Sequence, residues 1–129
     1  MSADAKESDK PLISVADDDS LIRDSMVRLI CSFGFRVEAF TSAEEFANSG
    51  YLEETACLIL DVRMPGMSGI EFRRQLVANH SEVPVIFITA HEEERVRAQA
   101  LLGAAGNVLI KPFSEQALMN AIHVALTAQ

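Results

Sequence analysis

The segment from Cys57 to Gly69 constrains the fold most strongly, because four apolar residues end in a single carboxylate and a Pro-Gly turn follows. A short apolar run bounded by turn residues is typical of a strand buried on both faces. Pro65 cannot donate a ladder hydrogen bond and Gly66 accepts turn dihedrals, so the strand has to stop near Asp61. The pattern therefore predicts a central strand with Asp61 at its carboxyl end, where open α/β sheets bind ligands.

Five apolar segments alternate with five segments of helical periodicity along the chain. The predicted strands are residues 12–16, 35–40, the run to Asp61, 83–88 and 107–110. The first predicted helix follows the loop of residues 17–20, and the second and third begin at the capping boxes Ser42–Glu45 and Ser68–Glu71. The fourth is predicted from His91 to Leu102, and the fifth follows the cap Ser114. Such alternation requires right-handed crossovers and a sheet covered on both faces. The expected fold class is α/β, a doubly wound five-stranded parallel sheet with five helices.

Length and charge narrow the possible functions. A chain of 129 residues suffices for one domain. The polar segment 1–10 lacks periodicity and is interpreted as a disordered leader before a domain at 11–129. The net charge of −8 argues against nucleic-acid binding, which needs a basic surface. The sequence contains neither a membrane-length apolar run nor the apolar core of a signal peptide, so we expect a cytoplasmic protein without membrane contact.

Residues of complementary chemistry follow the predicted strands at one edge of the sheet. They are Asp17 and Asp18 after the first strand, Asp61 after the third, Thr89 after the fourth and Lys111 after the fifth. Clustered carboxylates repel each other unless a cation joins them, and hard oxygen ligands suit Mg²⁺. A carboxylate can attack a phosphoryl group, and a metal, an ammonium and a hydroxyl can hold the phosphoryl oxygens. The pattern favours a metal-assisted phosphoacceptor site.

Each of these residues also has a purely structural interpretation. An acid after a strand commonly caps the next helix, and we expect one residue of the run Asp17–Asp19, or Ser20, to do so, with Asp19 assigned a structural role. Lys111 taken alone is consistent with a solvated loop lysine, and Thr89 taken alone with an ordinary strand-end threonine. The run Glu92–Glu94 is interpreted as a solvated helix start, which suits the helix dipole. Only the combination of residues favours the functional interpretation.

The sulfur-containing residues receive structural interpretations. Cys31 and Cys57 both lie in apolar segments without a partner motif, so we expect buried, reduced thiols. Met64 and Met67 follow the acidic strand end and are expected to pack within the loop, because thioethers fill irregular apolar gaps.

Together these motifs resemble the receiver domain of bacterial two-component response regulators. The resemblance rests on Asp17-Asp18, the segment Asp61–Gly69, Ile88-Thr89-Ala90 and Lys111-Pro112-Phe113, in the family's order and spacing. It implies a flavodoxin-like sheet of order 2-1-3-4-5. It also implies a signalling domain that assists its own phosphorylation and dephosphorylation, not an enzyme. The phosphoryl donor would be a phosphohistidine on a sensor histidine kinase or a histidine phosphotransfer protein.

The resemblance also implies a role for each matching residue. Asp61 corresponds to the phosphoacceptor. Asp18, Asp61 and the main-chain carbonyl of Arg63 correspond to direct ligands of Mg²⁺ (or Mn²⁺), with Asp17 acting largely through water. Lys111 corresponds to the lysine that pairs with the phosphoryl group, and its bond to Pro112 is expected to be cis. Thr89 corresponds to the hydroxyl that moves toward the phosphate.

Two features leave the output open. The motifs DVRMPGMSG and VPVIFITAH resemble the branch that is usually fused to a helix-turn-helix domain. The chain is then either an excised part of such a regulator or a single-domain regulator that acts through a phosphorylation-dependent dimer or partner. Val108 stands where the family commonly has Phe or Tyr. A β-branched aliphatic has no ring to rotate, which puts the aromatic half of the family's switch in doubt.

Three other functions fit parts of the pattern. A phosphohydrolase with an aspartyl-phosphate intermediate typically needs a second Asp two residues after the nucleophile, where this chain has Arg63. A flavodoxin-like cofactor module would need a phosphate loop rich in Ser, Thr and Gly after the first strand, where three acids stand here. A degenerate, unphosphorylated interaction domain conflicts with the complete acid, threonine and lysine set, although Val108 keeps it open.

Overall fold

Five short strands form one parallel sheet in the computed structural model, which describes residues 10–103 and 107–127. The strands are β1 (Leu12–Ala16), β2 (Arg36–Phe40), β3 (Thr55–Asp61), β4 (Val85–Thr89) and β5 (Asn107–Ile110). Their order in the sheet is β2-β1-β3-β4-β5. The predicted fold class is therefore confirmed, as is the strand order that the resemblance implied. Residues 1–9 of the predicted leader lie outside the described residues.

Five helices connect and cover these strands. They are α1 (Ser20–Ser32), α2 (Ala43–Ala47), α3 (Gly69–Ala78), α4 (Glu92–Leu102) and α5 (Glu115–Thr127). Asp19 caps α1, since its carboxylate accepts hydrogen bonds from the main-chain N–H groups of Leu21 and Ile22, at 3.0 and 3.3 Å. Ser68 and Glu71 form the predicted reciprocal capping box at the start of α3. Ser114 accepts a hydrogen bond from the Ala117 N–H at 3.0 Å, which confirms the predicted cap of α5.

The predicted capping box at Ser42–Glu45 is only half formed. Ser42 Oγ accepts the Glu45 N–H at 3.0 Å, as expected for a helix cap. The Glu45 carboxylate instead accepts from the N–H and the hydroxyl of Thr41, at 2.6 and 3.0 Å. The prediction of a reciprocal box was therefore wrong here. Thr41 offers the Glu45 carboxylate two donors, whereas a capping box would use only the main-chain N–H of Ser42.

The hydrophobic core consists of two clusters, one on each face of the sheet. The first lies between the sheet and helices α2, α3 and α4, and its largest fully buried members are Phe46, Leu58, Leu60 and Phe87. The second lies under α1 and α5, and its largest fully buried members are Ile13, Ile30, Ile59, Ile86, Ile88, Leu118 and Ile122. Side chains of β3 alternate between the clusters, so both faces of β3 are covered as predicted.

The sulfur-containing residues follow the predictions with one exception. Met64 is buried in the first cluster, and Met67 packs against it. Cys57 is buried in the second cluster, where burial raises the pKa of its thiol to about 12. Cys31 is exposed, contrary to the prediction, because it lies one residue beyond the buried Ile30 on α1 and is therefore turned by about 100° around the helix axis. Neither cysteine forms a disulfide.

The described helices are too short or too polar to cross a lipid bilayer.

Candidate functional site

Three carboxylates meet at the edge of the sheet where the strands end. Parallel pairing of β1 with β3 sets Ala16 beside Leu60, and the acids Asp17 and Asp61 follow these two residues directly. Carboxylate oxygens of Asp17, Asp18 and Asp61 lie within 4.8 Å of one another. Asp17 is fully buried and Asp61 is 5% exposed, whereas Asp18 is exposed. The structure therefore brings together the three acids that the sequence singled out.

The Lys111 ammonium lies against two of these acids. Its Nζ is 2.9 Å from Asp61 Oδ2 and 3.3 Å from Asp17 Oδ2. The side chain is only 16% exposed, which excludes a solvated loop lysine. The Lys111 N–H donates to the Thr89 carbonyl at 2.8 Å, so the main chain beyond β5 is held beside the end of β4. The Lys111–Pro112 peptide bond is cis, as the resemblance implies.

The carboxylate oxygens are satisfied unequally. Asp17 Oδ1 accepts the Asp19 N–H at 2.9 Å, and Asp61 Oδ1 accepts the Arg63 N–H at 3.1 Å. Asp17 Oδ2 is buried and, although it faces Lys111, has no hydrogen-bond partner among the described residues. A buried oxygen without a hydrogen bond costs free energy. The three carboxylates and this oxygen without a hydrogen bond fit a site for a hard divalent cation with its bound waters.

Burial and charge act in opposite directions on this cluster. Burial raises the pKa of Asp61 to about 6, and the negative charge of Asp17 adds to that increase, while the hydrogen bond from Lys111 opposes it. Burial alone would lower the pKa of Lys111, but the hydrogen bond and charge of Asp61, with the charge of Asp17, outweigh burial and raise it. One ammonium among three carboxylates leaves an excess of negative charge, which a divalent cation would neutralise.

Thr89 ends β4 and is 2% exposed. Its hydroxyl donates to Glu94 Oε1 at 2.6 Å and accepts the His91 N–H at 3.1 Å. The hydroxyl is therefore engaged with the start of α4, at the same sheet edge as the acid cluster. The motion of this hydroxyl toward a phosphate, which the resemblance implies, stays a prediction.

Glu94 is a site residue that the sequence interpretation missed. It is 6% exposed, so the interpretation of Glu92–Glu94 as a solvated helix start was wrong at this position. Its second carboxylate oxygen lies 2.5 Å from Arg63 Nε. Burial would raise the pKa of Glu94, but the hydrogen bonds from Thr89 and Arg63 outweigh burial and lower it. The sequence does contain a signal for the burial of Glu94, because Ala98 follows it by four residues and is buried on the same face of α4.

Val108 occupies the position in β5 where the resemblance leads us to expect an aromatic ring. It pairs in register with Phe87 of β4 and packs against the first hydrophobic cluster. The aliphatic side chain is therefore part of the packing between the sheet and the helices on that face.

Comparison with known proteins assigns the family. The family model described as the response regulator receiver domain matches residues 13–123. The chain therefore belongs to the receiver domains of two-component response regulators, a family of signalling domains. Receiver domains of this family bind Mg²⁺ and take phosphoryl groups from sensor kinases.

Individual relatives agree with this assignment. Nodulation protein W of Bradyrhizobium diazoefficiens is 39% identical over 118 residues, which cover 92% of this chain and 52% of that protein. The transcriptional regulatory protein FixJ of Azorhizobium caulinodans is 35% identical over 114 residues, which cover 88% of this chain and 54% of that protein. The chain thus spans about half the length of the curated relatives it matches.

Solved structures are similar over the same region. The response regulator StyR superposes with a TM-score of 0.84 at 44% identity, over 92% of this chain and 60% of that one. The structure of FixJ-N superposes with a TM-score of 0.79 at 29% identity, over 92% of this chain and 95% of that one.

Gly69 packs against the main chain at the end of β3, so a substitution there tests how closely the helix start constrains Asp61. An added Cβ at Gly69 would overlap the main-chain carbonyl oxygen of Asp61. We expect Gly69→Ala to lower the free energy of unfolding by about 3 kcal/mol, because the end of β3 has to move. Denaturant unfolding measures the loss, and amide chemical shifts of residues 61–63 report the displacement.

Gly50→Ala is the matched control. A Cβ there meets nothing within 4 Å, and only the left-handed backbone at φ +82° opposes it. We expect a loss of about 1 kcal/mol for this variant. Equal losses for both variants, with unchanged amide shifts at residues 61–63 in Gly69→Ala, would contradict the close contact between Gly69 and Asp61.

Proposed function

We propose that this receiver domain accepts a phosphoryl group on Asp61, in a Mg²⁺-dependent transfer from a phosphohistidine. The observation that carries this proposal is the convergence of three acids and one lysine at a single sheet edge. Their carboxylate oxygens lie within 4.8 Å of one another, and Lys111 Nζ lies 2.9 Å from Asp61 Oδ2. This arrangement combines a nucleophile, hard oxygen ligands and a fixed cation.

The acid cluster suits Mg²⁺, or Mn²⁺ in its place. We assign direct ligation to Asp18, Asp61 and the carbonyl of Arg63, and a water-mediated role to Asp17. Asp17 Oδ2 supports that role, because it is buried and, apart from its ion pair with Lys111, accepts no hydrogen bond, so a metal-bound water could donate one. When bound, the cation neutralises charge on the transferring phosphoryl group.

The chain's own residues carry out the transfer. A carboxylate oxygen of Asp61 attacks phosphorus, so that an acyl-phosphate P–O bond forms while the donor's P–N bond breaks and its electron pair returns to the imidazole nitrogen. The Lys111 ammonium, now paired with Asp61, holds a phosphoryl oxygen as charge spreads over that group. The Thr89 hydroxyl donates a hydrogen bond to another phosphoryl oxygen.

Arg63 explains why we propose a signalling domain and not a phosphohydrolase. Hydrolases of this chemistry place an acidic residue two positions after the nucleophile to activate water. A guanidinium cannot serve as a base, because it stays protonated in proteins. Here the Arg63 side chain pairs with Glu94, and the hydrogen bond to Glu94 raises the pKa of the Arg63 guanidinium further. The position two residues after Asp61 therefore lacks the base that would activate water toward an aspartyl phosphate.

The phosphoryl donor and the output complete the proposal. A sensor histidine kinase or a histidine phosphotransfer protein supplies the phosphoryl group. Phosphorylation then biases an equilibrium between two conformations and alters the face formed by α4, β5 and α5. That face would bind a second copy of the chain, an output domain or another protein.

Phosphorylation of Asp61 can be tested by intact mass. Acetyl phosphate with Mg²⁺ should add one phosphoryl group to the wild-type chain, because Asp61 is the nucleophile. Chelation of the metal should abolish the adduct, and so should Asp61→Asn, which keeps the side-chain shape but removes the nucleophilic oxygen. An adduct that persists in Asp61→Asn, or none in the wild type with Mg²⁺, would refute the assignment.

Metal binding should stabilise the fold. Ligand linkage predicts a gain in unfolding free energy of about 3 kcal/mol when free Mg²⁺ exceeds its Kd about a hundredfold. Asp18→Asn should remove most of this gain, as measured by denaturant unfolding with and without MgCl₂. Asp19→Asn is the control, because it removes one charge from the same loop while asparagine still caps α1. Equal gains in both variants would exclude Asp18 as a ligand.

A further inference from the structure

Glu94 is a buried carboxylate that the proposed transfer does not use. It lies in the first turn of α4 and is 6% exposed, so its hydrogen-bond partners are protein groups. Thr89 Oγ1 donates to its Oε1 at 2.6 Å, and Arg63 Nε donates to its Oε2 at 2.5 Å. Glu94 therefore connects the residue two positions beyond the phosphoacceptor with the threonine at the end of the neighbouring strand.

The Thr89 hydroxyl has a single proton to donate. In this structure the proton goes to Glu94, while the lone-pair side of the oxygen accepts the His91 N–H at 3.1 Å. The terminal oxygens of an aspartyl phosphate are hydrogen-bond acceptors, as is the Glu94 carboxylate. Thr89 can therefore donate to Glu94 or to a phosphoryl oxygen, but not to both.

We propose that Glu94 is a positioning residue that holds Thr89 in the resting arrangement and competes with the phosphoryl group for its hydroxyl proton. This inference rests on the proposed function, because it needs a phosphoryl group on Asp61 as the competitor. Glu94 thereby sets how far phosphorylation shifts the conformational equilibrium, without contacting the phosphoryl group itself.

Arg63 limits the strength of this competition. Once Thr89 leaves, Glu94 keeps its ion pair with the Arg63 guanidinium, so its buried charge is not left without a partner. The main-chain N–H of the same Arg63 donates to Asp61 Oδ1 at 3.1 Å. Arg63 thus contacts both Glu94 and the phosphoacceptor. Release of Thr89 is feasible because Glu94 keeps this ion pair, but it is unfavourable because the hydrogen bond from Thr89 is lost. In this chain, with Val108 in place of an aromatic ring, the Glu94 contact is what Thr89 has to break.

A double-mutant cycle with beryllium fluoride tests the inference. Beryllium fluoride is used as a phosphoryl mimic on Asp61 in the presence of Mg²⁺, and ¹⁹F NMR measures its apparent affinity for the full chain. Glu94→Met removes both oxygens while keeping the side-chain volume. We expect it to bind about tenfold more tightly than the wild type, the factor that corresponds to one hydrogen bond to a charged group. Glu94→Gln, which keeps an uncharged acceptor, should fall between the two.

The Thr89→Val background separates competition for the hydroxyl from a general charge effect. Valine lacks the hydroxyl, so Glu94→Met should leave the affinity unchanged in this background. Glu93→Met, which removes an exposed charge from the same turn, should change the wild-type affinity less than about twofold, because exposed charges are screened.

Each contrary outcome has a distinct meaning. An equal affinity for wild type and Glu94→Met, or an equal gain in the Thr89→Val background, would overturn the role of Glu94 while leaving phosphorylation of Asp61 intact. No adduct in the wild type would overturn the proposed function, and this inference with it. If Glu94→Met does not fold, Glu94→Gln decides the question in the same cycle, since it retains the size and polarity of the buried side chain.

Discussion

The burial of charged groups, together with the mutual repulsion of three carboxylates, dominates the functional edge of this sheet. Their oxygens lie within 4.8 Å of one another, and two of the three groups are almost fully buried, where charges interact more strongly than in water. Lys111 offsets part of this repulsion through contacts of 2.9 and 3.3 Å. The strand order brings these groups together. Because β1 and β3 are neighbours, Asp17 and Asp61 lie side by side, and a main-chain hydrogen bond holds Lys111, after β5, beside the end of β4. A cation or a phosphoryl group bound here would change this balance directly, as the proposed switch requires.

The sequence was most informative where one local rule determined the outcome. The run Cys57–Leu60 had to be a buried strand, since no other short element places consecutive apolar residues on two covered faces. Ser68 and Ser114 were predictable as helix caps because their hydroxyl oxygens accept N–H groups three residues away. Strand order is a different matter. Periodicity does not determine which strands pair, and the order came from the family resemblance.

The wrong predictions all concern the burial or the hydrogen-bond partners of individual side chains. Glu94 follows two exposed glutamates, and only the turn of α4 and the Thr89 hydroxyl make it a buried acceptor. Cys31 lies in an apolar segment but on the outward side of α1. Glu45 bonds Thr41 instead of completing its capping box, because two donors are available there. For Glu94 and Glu45 tertiary geometry, or a competing donor, overrides the local rule, whereas the exposure of Cys31 follows from the helical period itself, since the preceding Ile30 is buried.

The proposed switch requires a cation and a phosphoryl group to bind at the acid cluster, and a crystal structure with Mg²⁺ and beryllium fluoride would test this directly. We predict the cation on Asp18, Asp61 and the carbonyl of Arg63, and beryllium bonded to a carboxylate oxygen of Asp61. Lys111 should contact a fluoride. A cation or beryllium bound elsewhere, with Asp61 still paired to Lys111 as in the free protein, would contradict the account.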